Sequence, residues 1–375
     1  MRRVLIIEEE MLHYRVPFYA KLHDALQQRQ VDLRVGYSDP PRRNLDGGNS
    51  VDLPSEYGVK VRAYRGPGQR VTFQPLVREA CRADLVIVDQ ANRFILNQLL
   101  LPASLLGLKR VAFWGHGRCA RANAVFEWYK RRTLNWVDWW FAYTRNTAEY
   151  LTAHGVPPSK ITNIQNSIDT DGLRADLSSI SEGELDRARK GLGIGPDARV
   201  GVFCGTLHDL KCIPLLLDAA KLIRSRIPDF HLVIIGGGNP HNGLGKHLSS
   251  NSEWIHCVGP RLGREKACLL KLGDVFLLPG AVGLAILDAF VASLPLITTD
   301  NPHHGPEIEY LASGKNGLVV TATAERYAEA VVDLLSDSQL LASMRAMAEE
   351  TGRKYSIAGM VESLCNGIER CLKIG

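Results

Sequence analysis

Residues 274–295, DVFLLPGAVGLAILDAFVASLP, decide the fold class of this chain. The apolar run 275–278 has strand length, Pro279-Gly280 breaks it, and apolar residues recur at helical spacing from Leu284. A turn of small residues before a helix lets an anion approach backbone N–H groups. Asp288 lies one to two turns into this helix, where it could meet a ribose hydroxyl. The pattern predicts a strand, a turn and a helix, and an ordinary unit of this kind without a ligand remains an alternative.

The same alternation of short β-rich runs and helical patterns continues along the chain. It predicts an α/β protein built from two doubly wound, Rossmann-like domains. The strands predicted in the first half are 4–7, 31–36, 85–89, 111–114 and 140–143. Those predicted in the second half are 200–204, 231–235, 255–258, 275–278 and 296–298. We expect a first domain at 1–185, a second at 186–355, and a last helix at 356–375 that packs back on the first domain.

Length and composition narrow the class of protein. A chain of 375 residues is long enough for two domains. Its net charge of +5 permits contact with anionic ligands or a membrane surface but does not indicate nucleic-acid binding. The eight cysteines are scattered without a C-x-x-C pair, which favours reduced thiols in a cytoplasmic protein over a zinc site. We find no signal peptide and no apolar run of the roughly 18–20 residues that span a bilayer, so we expect a soluble or peripheral protein.

Two loops of the second half are candidates for ligand binding, because doubly wound domains bind ligands beyond the carboxyl ends of their strands. Gly205 ends one strand, and the nearby Lys211 could reach a diphosphate as a mobile point charge. Considered alone, Lys211 could equally be a solvated lysine at a helix start. The glycines at 236–238 follow another strand, but the G-x-G-x-x-G spacing is absent and a flexible loop explains them equally well. The sequence has no G-x-x-x-x-G-K-[ST] P-loop, so a kinase or an ATPase has little support.

Considered together, these segments resemble family 4 glycosyltransferases. In the second half the resemblance rests on Gly205…Lys211, GGG at 236–238, PGAVGLAILDA at 279–289 and PEIEYLASGKNG at 306–317. In the first half it rests on HYRVPFY at 13–19, typical of exopolysaccharide-type members, WGHG at 114–117 and NSID at 166–169. The resemblance implies the GT-B fold, in which two Rossmann-like domains face each other, and a retaining enzyme that uses a nucleotide sugar.

The resemblance also implies which residues bind the donor. Lys211 would bind the donor diphosphate, and the backbone of Gly283 and Leu284 would cap the same group. Asp288 occupies the second acidic position of the family's E-x7-E motif, which usually holds the ribose hydroxyls. The remaining donor-side positions that we transfer from the family are Gly205, Thr206, Gly237 and Gly280.

Three residues of the first half have implied roles near the sugar and the acceptor. His116 resembles the histidine that faces the donor sugar, and it is our catalytic candidate; a structural histidine in a glycine turn is the alternative. Tyr14 and Arg15 would lie near the acceptor, although packing at a helix N-terminus would explain them as well.

The chain departs from the family pattern at two positions. Gly280 stands where the first glutamate of E-x7-E is expected, and Thr206 stands where an arginine is usual. A lost charge-assisted hydrogen bond is worth about 1.5–3 kcal/mol, enough to change the donor or weaken activity. Glu307, His303 or His304 could substitute from the next loop, and Glu307 could instead merely cap a helix.

The function that we expect is metal-independent transfer of a hexosyl unit from a nucleotide diphosphate sugar to an acceptor hydroxyl, with retention. The nucleotide sugar is a co-substrate, and no cofactor or metal is expected because no suitable D-x-D pair follows a strand. The acceptor would be a glycan or a lipid-linked glycan. A nucleotide-sugar epimerase of similar fold and a catalytically weak nucleotide-sugar-binding homologue are the alternatives.

The segment 128–141, WYKRRTLNWVDWWF, could rest on the inner face of a membrane or belong to the core.

Overall fold

The computed structural model describes residues 1–40, 50–66, 68, 71–117, 124–238 and 253–373. The Asp, Gly, Asn, Ser and Pro residues at 46–57 predict a mobile loop. Residues 46–49 of this segment lie outside the described residues. The chain forms two compact units. Unit 1 comprises Met1–Ile168 together with Ile357–Gly375, and unit 2 comprises Asp169–Ser356.

Unit 1 is built on a seven-stranded parallel sheet of order β3-β2-β1-β6-β7-β8-β9. Its strands are β1 Arg2–Glu10, β2 Val31–Ser38, β3 Gly58–Val61, β6 Leu85–Asp89, β7 Arg110–Gly115, β8 Trp139–Ala142 and β9 Ile161–Asn163. A separate antiparallel pair consists of β4 Tyr64–Arg65 and β5 Thr72–Phe73. The helices are Val16–Gln28, Val77–Arg82, Ile95–Leu105, Ala124–Thr133, Arg145–Ala153 and Ile357–Lys373, with 3-10 turns at His13–Arg15 and Pro158–Lys160.

Apolar side chains cover both faces of this sheet, as an all-parallel sheet requires. On one face the last helix, Ile357–Lys373, packs with Val16–Gln28 and contributes Met360, Leu364 and Ile368 to the core. Its contact is close, because a β-carbon on Gly367 would lie 2.5 Å from the Phe141 ring. The expected return of the last helix to the first unit is therefore confirmed.

Unit 2 is built on a six-stranded parallel sheet of order β12-β11-β10-β13-β14-β15. Its strands are β10 Arg199–Cys204, β11 Phe230–Ile235, β12 Ile255–Gly259, β13 Val275–Leu277, β14 Leu296–Thr299 and β15 Gly317–Val320. The helices are Thr170–Ser179, Glu182–Gly191, Ile213–Arg226, Gly263–Lys271, Ala285–Val291, Ala324–Ser336 and Ser338–Lys354, with 3-10 turns at Asp209–Lys211 and Pro306–Tyr310.

The first unit ends earlier than the boundary at 185 that the sequence suggests. The helix Thr170–Ser179 belongs to unit 2, where it packs against Gly263–Lys271. Lys271 Nζ donates hydrogen bonds to the carbonyls of Leu177 and Ile180 at 3.1 and 3.0 Å, which fixes the end of this helix to unit 2. The sequence around this boundary is charged and resembles a linker, and it carries no signal of these tertiary contacts.

Five strands in the described parts of the chain were missed by the sequence analysis. β3, β9 and β15 lie at the edges of the two large sheets, and β4 and β5 form the separate antiparallel pair. Edge strands are short and half exposed, so their apolar signal is weak. Among the described residues, no helix has the length and apolarity needed to cross a bilayer.

Candidate functional site

The stretch that opens the sequence analysis lies at the carboxyl edge of the unit 2 sheet. It forms β13, a turn at 278–284 and the helix Ala285–Val291. Because β10 and β13 are neighbours, the loops that follow them meet. The Ala281 N–H donates to the Leu210 carbonyl at 2.7 Å, which ties the turn to the loop that carries Lys211.

Lys211 lies directly against this turn. Its Nζ donates a hydrogen bond to the Ala281 carbonyl. Burial lowers the pKa of Lys211, while Cys204 and Glu307 oppose the shift by favouring the charged form. A half-buried ammonium whose pKa is lowered by desolvation gains from an anion in this loop, because the anion restores the charge partner that water no longer supplies.

His304 fixes the other side of the turn. Its Nδ1 accepts the Val282 N–H at 3.0 Å, and its Nε2 lies 2.8 Å from the Thr299 carbonyl, so the neutral tautomer with a proton on Nε2 fits both contacts. Burial lowers the pKa of His304, which favours this neutral form. Among the residues that the structure describes, the N–H groups of Gly283 and Leu284 find no acceptor. No atom lies within 4 Å of the place that a β-carbon on Gly283 would take, so this side of the turn has room for a ligand.

Asp288 is buried and forms an ion pair that the sequence analysis missed. Lys266, from the helix Gly263–Lys271, donates to Asp288 Oδ1 at 2.8 Å. The pair lies beside Cys204, whose pKa rises to about 12 through burial and the Asp288 carboxylate. Lys266 and Lys211 both act on the Cys204 thiol, so two lysines lie at this edge. A lysine on a helix carries no local motif, and only the tertiary contact identifies it.

The glycines of the neighbouring loops serve close packing. A β-carbon on Gly236 would lie 1.9 Å from the Gly205 carbonyl oxygen, and one on Gly238 would lie 2.0 Å from that of Leu207. The Gly237 carbonyl accepts the Leu207 N–H at 2.8 Å. Gly236 and Gly238 are therefore required because their backbone contacts that of the loop after β10. This reason differs from both interpretations of the sequence, a phosphate-binding turn and a flexible loop.

The residues suggested as substitutes for the missing glutamate occupy different environments. Glu307 is buried in the 3-10 turn Pro306–Tyr310, and its Oε2 lies 2.7 Å from the position of a β-carbon on Gly305. His303 is exposed, and His304 holds the turn as described above. Thr206, the second departure, is exposed after β10.

The three first-half candidates come together at the carboxyl edge of the unit 1 sheet. His116 is exposed just after β7, and its ring meets Tyr143 edge-on at 4.6 Å between centroids. Arg15 is buried, donates to Asn166 Oδ1 at 3.2 Å, and lies 5.5 Å from the centroid of the Tyr14 ring. The pKa of Arg15 is raised although burial opposes it, because Tyr14 and Tyr143 favour its charge.

Two carboxylates at the same edge were not singled out by sequence. The register pairs Ile7 with Val88, which places Glu8 and Asp89 next to each other on β1 and β6. Glu8 accepts the Tyr19 hydroxyl at 2.5 Å, and burial raises its pKa. The Asp89 side chain keeps solvent-exposed surface, yet desolvation by the protein around its carboxylate raises its pKa as well. Their position at strand ends is a usable sequence signal, but only the register reveals the pair.

The aromatic segment at 128–141 is divided between core and surface. Trp139 and Trp140 are buried, and their indole N–H groups donate to Thr162 Oγ1 and the Leu134 carbonyl at 2.9 and 2.8 Å. Trp128 is exposed. The interpretation as core therefore holds for Trp139 and Trp140, and not for Trp128. No group of three His, Cys, Asp or Glu side chains able to hold a metal occurs in the described parts of the chain.

Two parallel-sheet units with candidate ligand residues at the carboxyl strand ends agree with the GT-B fold that the sequence resemblance implies. Solved structures agree. Anabaena Alr3699/HepE in complex with UDP matches with a TM-score of 0.71 and 14% identity, over 98% of this chain and 100% of that one. A glycosyltransferase from Rickettsia africae matches with a TM-score of 0.72 and 13% identity, over 100% and 99% of the two chains.

Family models match both halves of the chain. Residues 18–172 match Glycosyltransferase Family 4, and residues 198–337 match Glycosyl transferases group 1. Both models describe glycosyltransferases, and together they match most of the chain. The chain therefore belongs to the group 1 and family 4 glycosyltransferases. A D-inositol 3-phosphate glycosyltransferase of Corynebacterium urealyticum is 30% identical over 198 residues, which are 48% of this chain and 46% of that protein. The chain spans about half the length of such curated relatives.

Proposed function

We propose that this protein transfers a hexosyl unit from a nucleotide diphosphate sugar to an acceptor hydroxyl. The observation that carries the proposal is the turn at 278–284, which is bonded to Lys211 and presents two N–H groups without acceptors among the described residues. This arrangement suits a diphosphate, in a chain that belongs to a glycosyltransferase family. A solved structure of similar fold, Anabaena Alr3699/HepE, is described with UDP-glucose.

In the proposed donor site, Lys211 and the N–H groups of Gly283 and Leu284 bind the diphosphate. Asp288 accepts hydrogen bonds from the ribose, held in place by Lys266 at 2.8 Å. Lys266, paired with Asp288, also places a second positive charge near Cys204, two residues before the Thr206 that replaces the usual arginine. Gly237 and Gly280 act by letting the loops approach each other closely, and the Gly205 backbone is the surface that Gly236 approaches.

The proposed reaction needs no metal and no cofactor besides the donor. Negative charge develops on the leaving diphosphate, and preorganised cations and backbone donors can stabilise it. Lys211 and Lys266 provide the cations. Retention of configuration, through front-face attack with the leaving diphosphate as base, rests on the family alone.

The proposed acceptor is a glycan or lipid-linked glycan bound at the carboxyl edge of unit 1. Neutral sugars present hydroxyl donors, which a carboxylate accepts well. Asp89 is exposed there, with Tyr14, Arg15 and His116 at the same edge. His116 would contact the transferred sugar. The free thiols of the described cysteines fit a reducing compartment, and we propose the cytoplasm.

Gly280 favours a second candidate, a catalytically weak homologue that binds nucleotide sugars. No side chain fits at this position, because a β-carbon would lie 2.2 Å from the Leu210 carbonyl oxygen. The carboxylate that usually meets the transferred sugar therefore has no place on this turn, and binding could persist without transfer.

The experiment is a panel of UDP-, GDP- and ADP-sugars in which released nucleoside diphosphate and thermal shift are both measured, with and without glycan acceptors. The proposed function predicts release from one donor and a shift by the matching nucleoside diphosphate, because ligands stabilise the native state. A shift without release from any donor would favour the binding homologue. No shift and no release would overturn both, and conversion of the intact sugar to an epimer would identify an epimerase.

A further inference from the structure

The helix Ile95–Leu105 of unit 1 exposes apolar residues on the side that faces solvent. Its inner side chains Leu96, Leu100 and Leu101 are buried in the core. Its outer side carries exposed apolar residues at spacings of four, three and four: Ile95, Leu99, Pro102 and Leu106. A surface helix of a globular protein normally carries polar residues there. We call the outer row the apolar stripe.

The stripe continues into the turn before β7. Leu105, Leu106 and Leu108 are 60%, 71% and 75% exposed. Gly107, with φ +69°, shapes this turn, and no atom lies near the place of its missing side chain. Three strongly exposed leucines within four residues form a patch, and single exposed leucines elsewhere need no such explanation.

The neighbouring helix Ala124–Thr133 carries an exposed aromatic ring and two exposed cations. Tyr129 donates its hydroxyl to Gln98 Oε1 at 2.7 Å, which joins the two helices. Trp128, Arg131 and Arg132 share one exposed side of this helix, since they are three and four residues apart. Tryptophan with arginine beside exposed leucines is typical of interfacial helices.

Beside the leucine turn lies an open recess of about 480 Å³ whose lining includes Arg2, Arg82, Lys109 and Arg110. Its carboxylate, Asp84, accepts the backbone N–H of Arg3 at 2.6 Å. Arg82 also pairs with Glu79 at 4.0 Å, so the four cations exceed the two nearby carboxylates and leave this end of the stripe positively charged. Lys109 is tied to the Cys81 carbonyl at 3.1 Å and Arg110 to that of Leu372 at 2.8 Å, so these two charges are fixed in place.

We propose that the apolar stripe, the leucine turn and their flanking cations form the surface with which this protein docks on an anionic lipid bilayer. The leucines and Trp128 enter the interfacial layer, and the arginines and the recess meet lipid phosphates. Charge decides between a bilayer and a second copy of the chain. An isologous contact would bring like charges together, whereas an anionic leaflet attracts them. The inference does not depend on the proposed reaction.

The test is flotation of the full chain with vesicles of phosphatidylcholine containing about one third phosphatidylglycerol, compared with phosphatidylcholine alone, at low and high salt. Binding is expected to the anionic vesicles and to weaken with salt. The combined Leu105→Ser, Leu106→Ser and Leu108→Ser variant should reduce the affinity about 10-fold or more, because the inserted apolar area is lost.

Two further variants make the test specific. Leu340→Ser, at an exposed leucine of unit 2, should leave flotation unchanged. Arg131→Ser with Arg132→Ser should weaken binding to the anionic vesicles and reduce its salt dependence. All variants should unfold at the wild-type temperature, because the changed residues are exposed. Absence of wild-type flotation with the anionic vesicles would overturn the proposal, as would a dimer that the triple leucine variant dissociates.

Discussion

The backbone of Gly280 touches that of Leu210, so closely that a β-carbon on Gly280 would lie 2.2 Å from the Leu210 carbonyl oxygen. The adjacent Ala281 N–H bonds to the same oxygen at 2.7 Å. The glycine that replaces the family's sugar-facing glutamate is therefore a packing requirement of this turn. A glutamate could return there only if the two loops moved apart.

Gly280→Ala should lower the free energy of unfolding of unit 2 by about 1–3 kcal/mol through overpacking. The matched control is Gly283→Ala, where nothing lies within 4 Å of the added carbon; this change should stay within about 0.5 kcal/mol. Denaturant unfolding measures both. Equal stability of the two variants would show that the loops are not in contact as described.

Lys211→Met should weaken binding of the donor's nucleoside diphosphate by about 10- to 100-fold, the effect of one lost charge-assisted hydrogen bond. Isothermal titration calorimetry measures it, with the thermal unfolding temperature as a check on the fold. Lys221→Met, at an exposed lysine of the same unit, is the control. Unchanged affinity in Lys211→Met would remove this lysine from the donor site.

The Lys266–Asp288 pair should show coupling in a double-mutant cycle. Lys266→Met and Asp288→Asn each break a largely buried ion pair, so the stability lost by the double variant should be less than the sum, by about 0.5–3 kcal/mol. Additive losses would mean that the two side chains do not interact.

The ribose role of Asp288 has a separate readout. Asp288→Asn should weaken binding of the nucleoside diphosphate more than binding of inorganic pyrophosphate, because pyrophosphate has no ribose. Equal weakening of both ligands would assign Asp288 to the shape of the loop alone.

Asp89→Asn should lower kcat/KM for the acceptor by about 10- to 100-fold while binding of the nucleoside diphosphate stays unchanged, since a carboxylate accepts hydroxyl hydrogen bonds more strongly than an amide does. Glu149→Gln, at an exposed carboxylate of unit 1, serves as the control. If Asp89→Asn keeps full acceptor turnover, another residue orients the acceptor.

Stability should also depend on pH through a histidine pair in unit 2. His231 Nδ1 lies 2.9 Å from His256 Nε2, and burial with the neighbouring His231 lowers the pKa of His256 from 6.5 to about 4. Between these two pKa values His256 is protonated in the unfolded chain and neutral in the folded chain. The free energy of unfolding therefore falls as pH drops from 6.5 to about 4. The melting temperature of wild type should therefore fall toward that of His256→Gln over this range. Parallel pH curves would contradict the assignment.

Local patterns predicted those parts of the molecule that rest on local physics. The segment at 274–295 forms the expected strand, turn and helix, and Lys211 meets this turn because β10 and β13 are adjacent. The close approach at Gly280 and the pairing of Lys266 with Asp288 depend on how separate segments pack. No spacing within one segment encodes such contacts.

In unit 1 the pair of carboxylates at the sheet edge was not predicted, because it depends on the register between two strands. Glu8 and Asp89 are far apart in sequence and become neighbours through the alignment of β1 with β6. The sequence leaves the placement of Trp139 and Trp140 open, because their apolar pattern fits a membrane surface and a core equally. Their burial in the structure assigns them to the core. Donor, sugar and acceptor roles depend on bound substrates and stay predictions.

The chain leaves unit 1 after Ile168 and returns to it only at Ile357. Unit 2 is thus one uninterrupted segment that can fold as soon as the ribosome has released it. Unit 1 must wait, since Met360, Leu364 and Ile368 complete its core and are synthesised after all of unit 2. Until then the face of its sheet beneath that helix stays uncovered, so a nascent or truncated chain that lacks 357–373 should be the form most prone to aggregation.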